Sequence, residues 1–348
     1  MKSLIRRNIR LMAGYIPGEQ LAVPGLVKLN TNENPYPPSP RVRRALASLD
    51  PALLRLYPDP VCTQIRKILA ARHGVEPARV FVGNGSDEVL RLITLAFVEA
   101  SGSLGMFTPS YSLYDVLADS IGVPMRKVPL GPGFAWRPPP ASLRASVFFI
   151  TTPNNPTGVM YPAKAVRAFC ARFRGLVVID EAYVDFAGWN NMDLAKEFPN
   201  VLVLRTLSKS YSLAGIRLGY AVGDPALIAA LLKLKDSYNV NRLTQAAALA
   251  ALEDEGYMLR QAERIRRSRA WLARSLAALG FEVVPSEANF LWVRPTRVAA
   301  VTLFEKLRER NILIRYNPKD WHPEYVRITV GTGPELKRLL AAIREIQG

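Results

Sequence analysis

Val201-Leu202-Val203-Leu204-Arg205-Thr206-Leu207-Ser208-Lys209-Ser210 begins as an apolar run and ends in hydroxyls around a lysine, with Arg217 eight residues beyond that lysine. A short apolar run of this kind, rich in β-branched residues, reads as a strand buried on both faces. Working outward, the same form recurs. Arg79-Val80-Phe81-Val82, Leu104-Gly105-Met106-Phe107, Ser146-Val147-Phe148-Phe149-Ile150 and Leu176-Val177-Val178-Ile179 are strands of the same kind. Amphipathic stretches at 87–98, 113–121 and 163–173 lie between them and read as helices. Buried strands alternating with helices predict an α/β fold, with a mostly parallel sheet covered by helices. Beyond about Asn241 the pattern changes. One long proline-free helix is expected over 245–279, then strands at 281–284, 289–293 and 325–330 with helices at 301–310 and 334–346. That is a smaller α+β unit. The expected division is a large domain over 33–245, and a small domain over 246–348 that the arm 1–32 joins. Asn34-Pro35-Tyr36-Pro37-Pro38-Ser39-Pro40 reads as an extended linker and Pro138-Pro139-Pro140 as a loop.

The bulk properties exclude several classes. The chain has 348 residues, long for one hydrophobic core. Its 49% hydrophobic and 22% charged content is ordinary for a globular protein. No apolar run is long enough for a membrane span. The basic start Met1-Lys2-Ser3-Leu4-Ile5-Arg6-Arg7 is followed by no apolar core, so a secretory leader is not expected. Cys62 and Cys170 are the only cysteines and have no metal-like spacing. A reducing cytoplasm is the simple expectation. With only His73 and His322, neither a metal site nor a Ser-His-Asp triad is expected. The net charge is +17, from 46 basic and 29 acidic residues. Its densest stretch, Arg260-Gln261-Ala262-Glu263-Arg264-Ile265-Arg266-Arg267-Ser268-Arg269, has the spacing of a solvated helix face, so nucleic acid is not the expected partner.

The chemistry sits where the predicted strands end. An amine at Lys209 between hydroxyls, with Arg217 behind, suits an aldehyde that carries a phosphate, although surface lysines are far commoner than reactive ones. Thr206, Ser208 and the Arg217 fork offer phosphate contacts. Gly83-Asn84-Gly85-Ser86-Asp87-Glu88 leaves a strand and opens a helix, either as a phosphate-binding turn or as a plain cap made by Ser86 or Asp87. Asp180 ends an all-apolar strand at the ligand-facing edge of such sheets, so it needs a partner: a protonated ring nitrogen, an arginine or a helix cap. Tyr183 stands close by. Thr152-Pro153-Asn154-Asn155-Pro156-Thr157-Gly158 is a rigid turn whose Asn amide can donate to a phenolate, or a turn and nothing more. Tyr111 can stack on a ring or be ordinary packing. Arg327, within Tyr325-Val326-Arg327-Ile328-Thr329-Val330, requires an anion, either a substrate carboxylate or a structural acid.

Taken in order, these strings resemble the fold-type I pyridoxal-phosphate aminotransferases, and within them the histidinol-phosphate aminotransferases. Leu29-Asn30-Thr31-Asn32-Glu33-Asn34-Pro35, Tyr57-Pro58-Asp59, Asp180-Glu181-Ala182-Tyr183-Val184-Asp185-Phe186 and Leu213-Ala214-Gly215-Ile216-Arg217-Leu218-Gly219-Tyr220 carry the resemblance, which spans almost the whole chain. It implies that Lys209 forms the Schiff base with pyridoxal 5'-phosphate and Asp180 holds the pyridine nitrogen protonated. Asn155 and Tyr183 would bond the phenolate and Tyr111 would stack on the ring. The Ser86 and Asp87 backbone, Thr206, Ser208 and Arg217 would hold the phosphate. Tyr57 would reach the cofactor of a second subunit, which implies a homodimer with shared active sites. Arg327 would take the substrate α-carboxylate beside Asn155, and Tyr15 and Arg315 the distal, phosphate-bearing end. The implied partners are a small amino donor and a 2-oxo acid, by analogy 2-oxoglutarate. Two departures stand out. Ser210 follows the lysine where the family often has a small apolar residue, and little effect is expected. The stretch 315–323 does not closely match the family pattern. Threonine-phosphate decarboxylases and aromatic amino-acid aminotransferases look similar on the same motifs. A non-catalytic basic nucleic-acid-binding or regulatory protein is the reading of another class, but no helix-turn-helix or other binding domain is left over.

Overall fold

A computed structural model describes residues 4–348, so Met1–Ser3 of the basic N-terminal stretch lie outside the described residues. Among the described residues twelve strands are formed: β1 (Val27–Lys28), β2 (Val80–Gly83), β3 (Leu104–Thr108), β4 (Met125–Pro129), β5 (Val147–Thr151), β6 (Leu176–Asp180), β7 (Val201–Thr206), β8 (Gly219–Val222), β9 (Phe281–Val283), β10 (Phe290–Pro295), β11 (Ile312–Leu313) and β12 (Val326–Thr329). Seven of them make the large sheet, in the order β2-β8-β7-β6-β5-β3-β4. Only β8 runs against its neighbours, while the β7-β6-β5-β3-β4 ladder is parallel.

The apolar runs explain this sheet. Successive residues of a strand point to opposite faces, so a strand covered on both sides must be apolar throughout. Val147, Phe149, Val178 and Leu202 pack on one face with the helices Ser86–Phe97 and Leu113–Ile121. Phe148, Ile150, Val177, Ile179 and Val203 pack on the other, in a core that runs on into the smaller unit. There β12-β10-β9 form an antiparallel three-stranded sheet. The N-terminal arm is stitched to that unit: β1 pairs in parallel with β11, and Thr329 N–H donates to the Leu29 carbonyl at 2.9 Å.

Three expectations change. The long helix expected over 245–279 is two helices, Arg242–Leu252 and Glu255–Ala278. Asp254 interrupts them with non-helical φ −118° and ψ 49°, and its carboxylate accepts from the Ser39 hydroxyl of a distant segment. The proline-rich linker is extended only in part, because Ser39 caps a helix that starts at Pro40 (Pro40–Ala47), and proline at the first helical position gives up no hydrogen bond. Strands β4 and β8 had no long apolar run to announce them. β8 is four residues with a glycine and a tyrosine, held by β2 and β7 on either side.

Candidate active site

The C-terminal ends of β5, β6 and β7 and the helix beginning at Ser86 converge on a cavity of roughly 230 Å³. Tyr15, Ser86, Asp87, Tyr111, Asn155, Asp180, Tyr183, Thr206, Ser208, Lys209, Arg217, Arg315 and Arg327 all line it. Of the residues singled out from sequence, Tyr57 alone stands elsewhere: it is 75% exposed and stacks on Tyr238 at 4.2 Å.

Asp180 ends β6 and is 4% exposed. Its Oδ2 accepts from the Tyr114 hydroxyl at 2.7 Å and its Oδ1 from the Ala182 N–H at 3.1 Å. Neither an arginine nor a lysine pairs with it among the described residues, so one alternative for its partner fails. Burial raises its pKa to about 6, against the Tyr114 bond, which lowers it. A buried carboxylate in this condition is a good partner for a cationic ring nitrogen. Tyr114 was missed from sequence. Its only signal is its place three residues after Tyr111, nearly one helical turn on.

Lys209 faces the same space, and its Nζ donates to the Thr31 carbonyl at 3.2 Å. Burial first, then the nearby Arg327, lower its pKa to about 8, while Glu33 and Asp87 oppose the shift. An amine so placed is partly neutral near physiological pH and is nucleophilic in that form. Asn34 Nδ2 donates to the Lys209 and Ser210 carbonyls, each at 3.1 Å. The Tyr183 hydroxyl accepts from Asn32 Nδ2 at 3.1 Å, and burial pushes this phenol up to about 12. Asn32 and Asn34 lie in a quoted string, but nothing local told which asparagine would point where.

The two asparagines of the rigid turn separate cleanly. Asn154 is fully buried and braces the turn through Pro109 and Thr157. Asn155 faces the cavity, and its Oδ1 accepts from Arg327 Nη1 at 2.6 Å. Arg327 is 6% exposed and also donates from Nη2 to the Asn30 carbonyl at 2.8 Å. Its guanidinium lies between the rings of Phe290 and Trp321, at 5.3 and 5.1 Å. Its Nε has no partner and no acidic side chain pairs with it among the described residues, so the structural-acid alternative fails. Burial lowers its pKa to about 10, which leaves it cationic. A buried cation that lacks an anion calls for one from a ligand. Trp321 was also missed. Its indole N–H donates to the Ser110 carbonyl at 3.2 Å and its ring walls the cavity.

At the helix start, Gly85 is the cap residue, with φ 82° and no side-chain cap bond. The plain-cap alternative for Ser86 and Asp87 is thereby corrected: neither side chain caps the helix, whose first N–H groups are left for an anion. A Cβ on Gly85 would lie 2.7 Å from Arg217 Nη2. Arg217 has a left-handed backbone (φ 59°) and donates to Asp87 Oδ2 at 3.1 Å, while Tyr111 donates to Asp87 Oδ1 at 3.3 Å. A phosphate here would compete with the Asp87 carboxylate for Arg217. Thr206 and Ser208 hydroxyls bond each other at 2.9 Å on the same wall. Arg315 donates to the Ile16 and Pro17 carbonyls at 2.8 and 3.1 Å, tying the arm that carries Tyr15 to the cavity rim.

These residues fit pyridoxal phosphate. An unpaired carboxylate awaits the ring nitrogen, an amine the aldehyde, and a helix start with Arg217 and two hydroxyls the phosphate. Comparison with known proteins agrees. The family described as aminotransferase class I and II matches residues 24–343. Histidinol-phosphate aminotransferases of Synechocystis sp. and Geobacter sulfurreducens are 41% and 43% identical to this chain, over 99% and 98% of it and 98% and 99% of their own lengths. The crystal structure of histidinol-phosphate aminotransferase from Sinorhizobium meliloti in complex with pyridoxal-5'-phosphate matches with a TM-score of 0.88 at 26% identity, over 100% of this chain and 98% of that one.

Proposed function

The chain belongs to the class I and II aminotransferases, and we propose that it transfers an amino group between L-histidinol phosphate and 2-oxoglutarate, with pyridoxal 5'-phosphate as coenzyme. That is a step of histidine biosynthesis. The observation that carries the reading is the pairing of opposites in one cavity: among the described residues, Asp180 is a buried carboxylate with no cation and Arg327 a buried cation with no anion. A zwitterionic coenzyme and an anionic substrate supply what each lacks.

When bound, the coenzyme supplies an electron sink for the carbanion formed at the substrate's α-carbon. The protein's own part is positioning and proton transfer. Lys209 would hold the coenzyme covalently and, as a neutral amine, move the α-proton. Asp180 would keep the ring nitrogen protonated, with Tyr114 and the Ala182 N–H fixing its oxygens. Tyr183 and the Asn155 amide would donate to the ring oxygen, and Tyr111 would pack against the ring. The N–H groups of Ser86 and Asp87, with Thr206, Ser208 and Arg217, would take the phosphate. Arg327 would grip the anionic group beside the reacting carbon, and Tyr15 and Arg315 the far end of the substrate.

We read residues 33–245 as the coenzyme-holding domain, and 246–348 with the arm 1–32 as the smaller one. The pairing of β1 with β11 supports this for the later part of the arm, while Asn8 near its start donates to the Asp119 and Ser120 carbonyls of the large domain. A homodimer is part of the proposal. The exposure of Leu54, Leu56 and Tyr57 outside the cavity supports a second copy covering them. A cytoplasmic location is also part of the proposal.

The test is borohydride reduction of the purified, coenzyme-loaded protein, followed by peptide mapping and an assay of amino transfer from histidinol phosphate. A reduced adduct on Lys209 and glutamate formation are expected. An adduct elsewhere, or carbon dioxide release from threonine phosphate with no amino transfer from histidinol phosphate, would overturn the reading.

A further inference from the structure

Two segments that line the cavity, 180–185 and 205–210, each carry two members of one polar cluster that does not touch the cavity, each member one or two residues from a cavity residue. Glu181 follows Asp180, Asp185 lies two residues after Tyr183, Arg205 precedes Thr206, and Ser210 follows Lys209. Arg205 donates from Nε and Nη2 to Glu181 Oε2 at 3.0 and 2.8 Å. The other Glu181 oxygen accepts from the backbone N–H and side-chain amide of Asn191. Arg205 Nη1 lies 4.0 Å from Asp185 Oδ1, and Asp185 Oδ2 accepts from the Ser210 hydroxyl. Glu181 is 1% and Ser210 2% exposed.

Stability alone is a poor account of such a cluster. Buried ion pairs are often no better than apolar packing, and their best-attested use is to specify geometry. What this one connects is informative. It joins the acid proposed for the ring nitrogen to the amine proposed for the aldehyde, across the ends of β6 and β7 and the segments that follow them. The Lys209 backbone is held from one side by Asn34, through the carbonyls of Lys209 and Ser210. The tie on the other side is the Ser210 hydroxyl. A small apolar residue at this position would leave Asp185 on Arg205 and release the lysine segment.

We propose that Ser210, through Asp185 and the Arg205–Glu181 pair, is a positioning residue that fixes the Lys209 amine in register with Asp180. This rests on the reading of Lys209 as the coenzyme-holding amine, and it replaces the sequence expectation that Ser210 has little effect. The amine itself reports its position. Lys209 is faced by Arg327, Arg217, Glu33, Asp87 and the Tyr183 ring; burial away from water, then Arg327 and Arg217, keep its pKa low against the two carboxylates. A lysine segment that swings free regains water, and its pKa climbs.

The experiment is competitive acetylation of the coenzyme-stripped enzyme across neutral to alkaline pH, with mass spectrometry of the Lys209 peptide, in wild type, Ser210→Ala, Asp185→Asn and the double variant. Each single variant is expected to raise the Lys209 pKa by about one unit, a tenfold smaller share of free amine below it. The double variant is expected to add nothing, because both substitutions cut one link. Melting temperature, a measure of a merely structural role, is expected to fall little in Ser210→Ala. An unchanged Lys209 titration in Ser210→Ala, or additive shifts in the double variant, overturns the inference. Borohydride treatment of the coenzyme-loaded wild type separates the two readings. With no adduct on Lys209 the functional reading falls and this inference with it. With an adduct and unmoved titrations, the inference falls alone.

Discussion

Replacing Asp180 with asparagine separates what this carboxylate costs the fold from what it does for the coenzyme. The side chain is 4% exposed and its pKa is raised from 3.8 to about 6, chiefly by burial. Roughly two units at about 1.36 kcal/mol each make about 3 kcal/mol by which the ionised carboxylate destabilises the coenzyme-free fold. The sign follows from proton counting. Between the unfolded and folded pKa values, the folded chain binds the extra proton, so stability falls as pH rises through that window and is flat above it. Asparagine is always neutral. Asp180→Asn should therefore be more stable than wild type above about pH 6, and the gap should close as pH falls toward 4. With an unfolding entropy of about 2.1 cal/mol/K per residue over 348 residues, about 3 kcal/mol corresponds to about 4 °C. The assay is thermal unfolding of stripped wild type and variant across this pH range, repeated with coenzyme. Loading should reverse the order, since only the carboxylate can pair with a protonated ring nitrogen, and amino transfer should drop by a hundredfold or more in line with the lost charge pair. A variant that is less stable at every pH, or a gap that does not change with pH, would refute the claim that Asp180 is an uncompensated buried charge.

Other outcomes follow from the same geometry. The rate at which stripped enzyme recaptures coenzyme should rise with pH and level off above about 8, because the neutral Lys209 amine is the reactive form; stopped-flow absorbance would show it. Arg327→Lys replaces a planar fork, two of whose N–H groups go to Asn155 and Asn30, with a shorter point-charge ammonium that cannot also grip an anion bidentately, so losing one charge-assisted hydrogen bond of about 1.5–3 kcal/mol should raise KM for the amino and oxo substrates by roughly 10- to 150-fold. Coenzyme absorbance should be unchanged in that variant. Gly85→Ala places a Cβ 2.7 Å from Arg217 Nη2 on a backbone with φ 82°, so coenzyme affinity, read by fluorescence titration, should fall by roughly ten- to a hundredfold.

What was legible in the sequence was local. The double-sided burial of β5, β6 and β7 demands apolar residues at every position, and that shows as an unbroken run. The residues that follow each run, Asp180 and the Thr206–Lys209 string among them, then fall on one sheet edge because parallel strands all point their C-terminal ends the same way. β8 escaped notice because a four-residue strand held by neighbours needs no strong pattern of its own. The break at Asp254 escaped notice because its reason is Ser39, far away in the chain.

The sequence by itself determined the chemistry on offer: an amine, an acid and an anion-binding helix start at the ends of elements that periodicity could place, and an arginine inside an apolar strand. Tertiary structure decided which alternatives for each were true. Tyr114 reaches Asp180 across 66 residues, Asn32 reaches Tyr183 across 151, and Asn155 reaches Arg327 across 172. Hydrogen-bond partners at such separations are set by how elements pack, which no short window of sequence encodes. Only packing could tell that, among the described residues, Asp180 has no cation and Arg327 no acid, and that Ser210 is tied to Asp185.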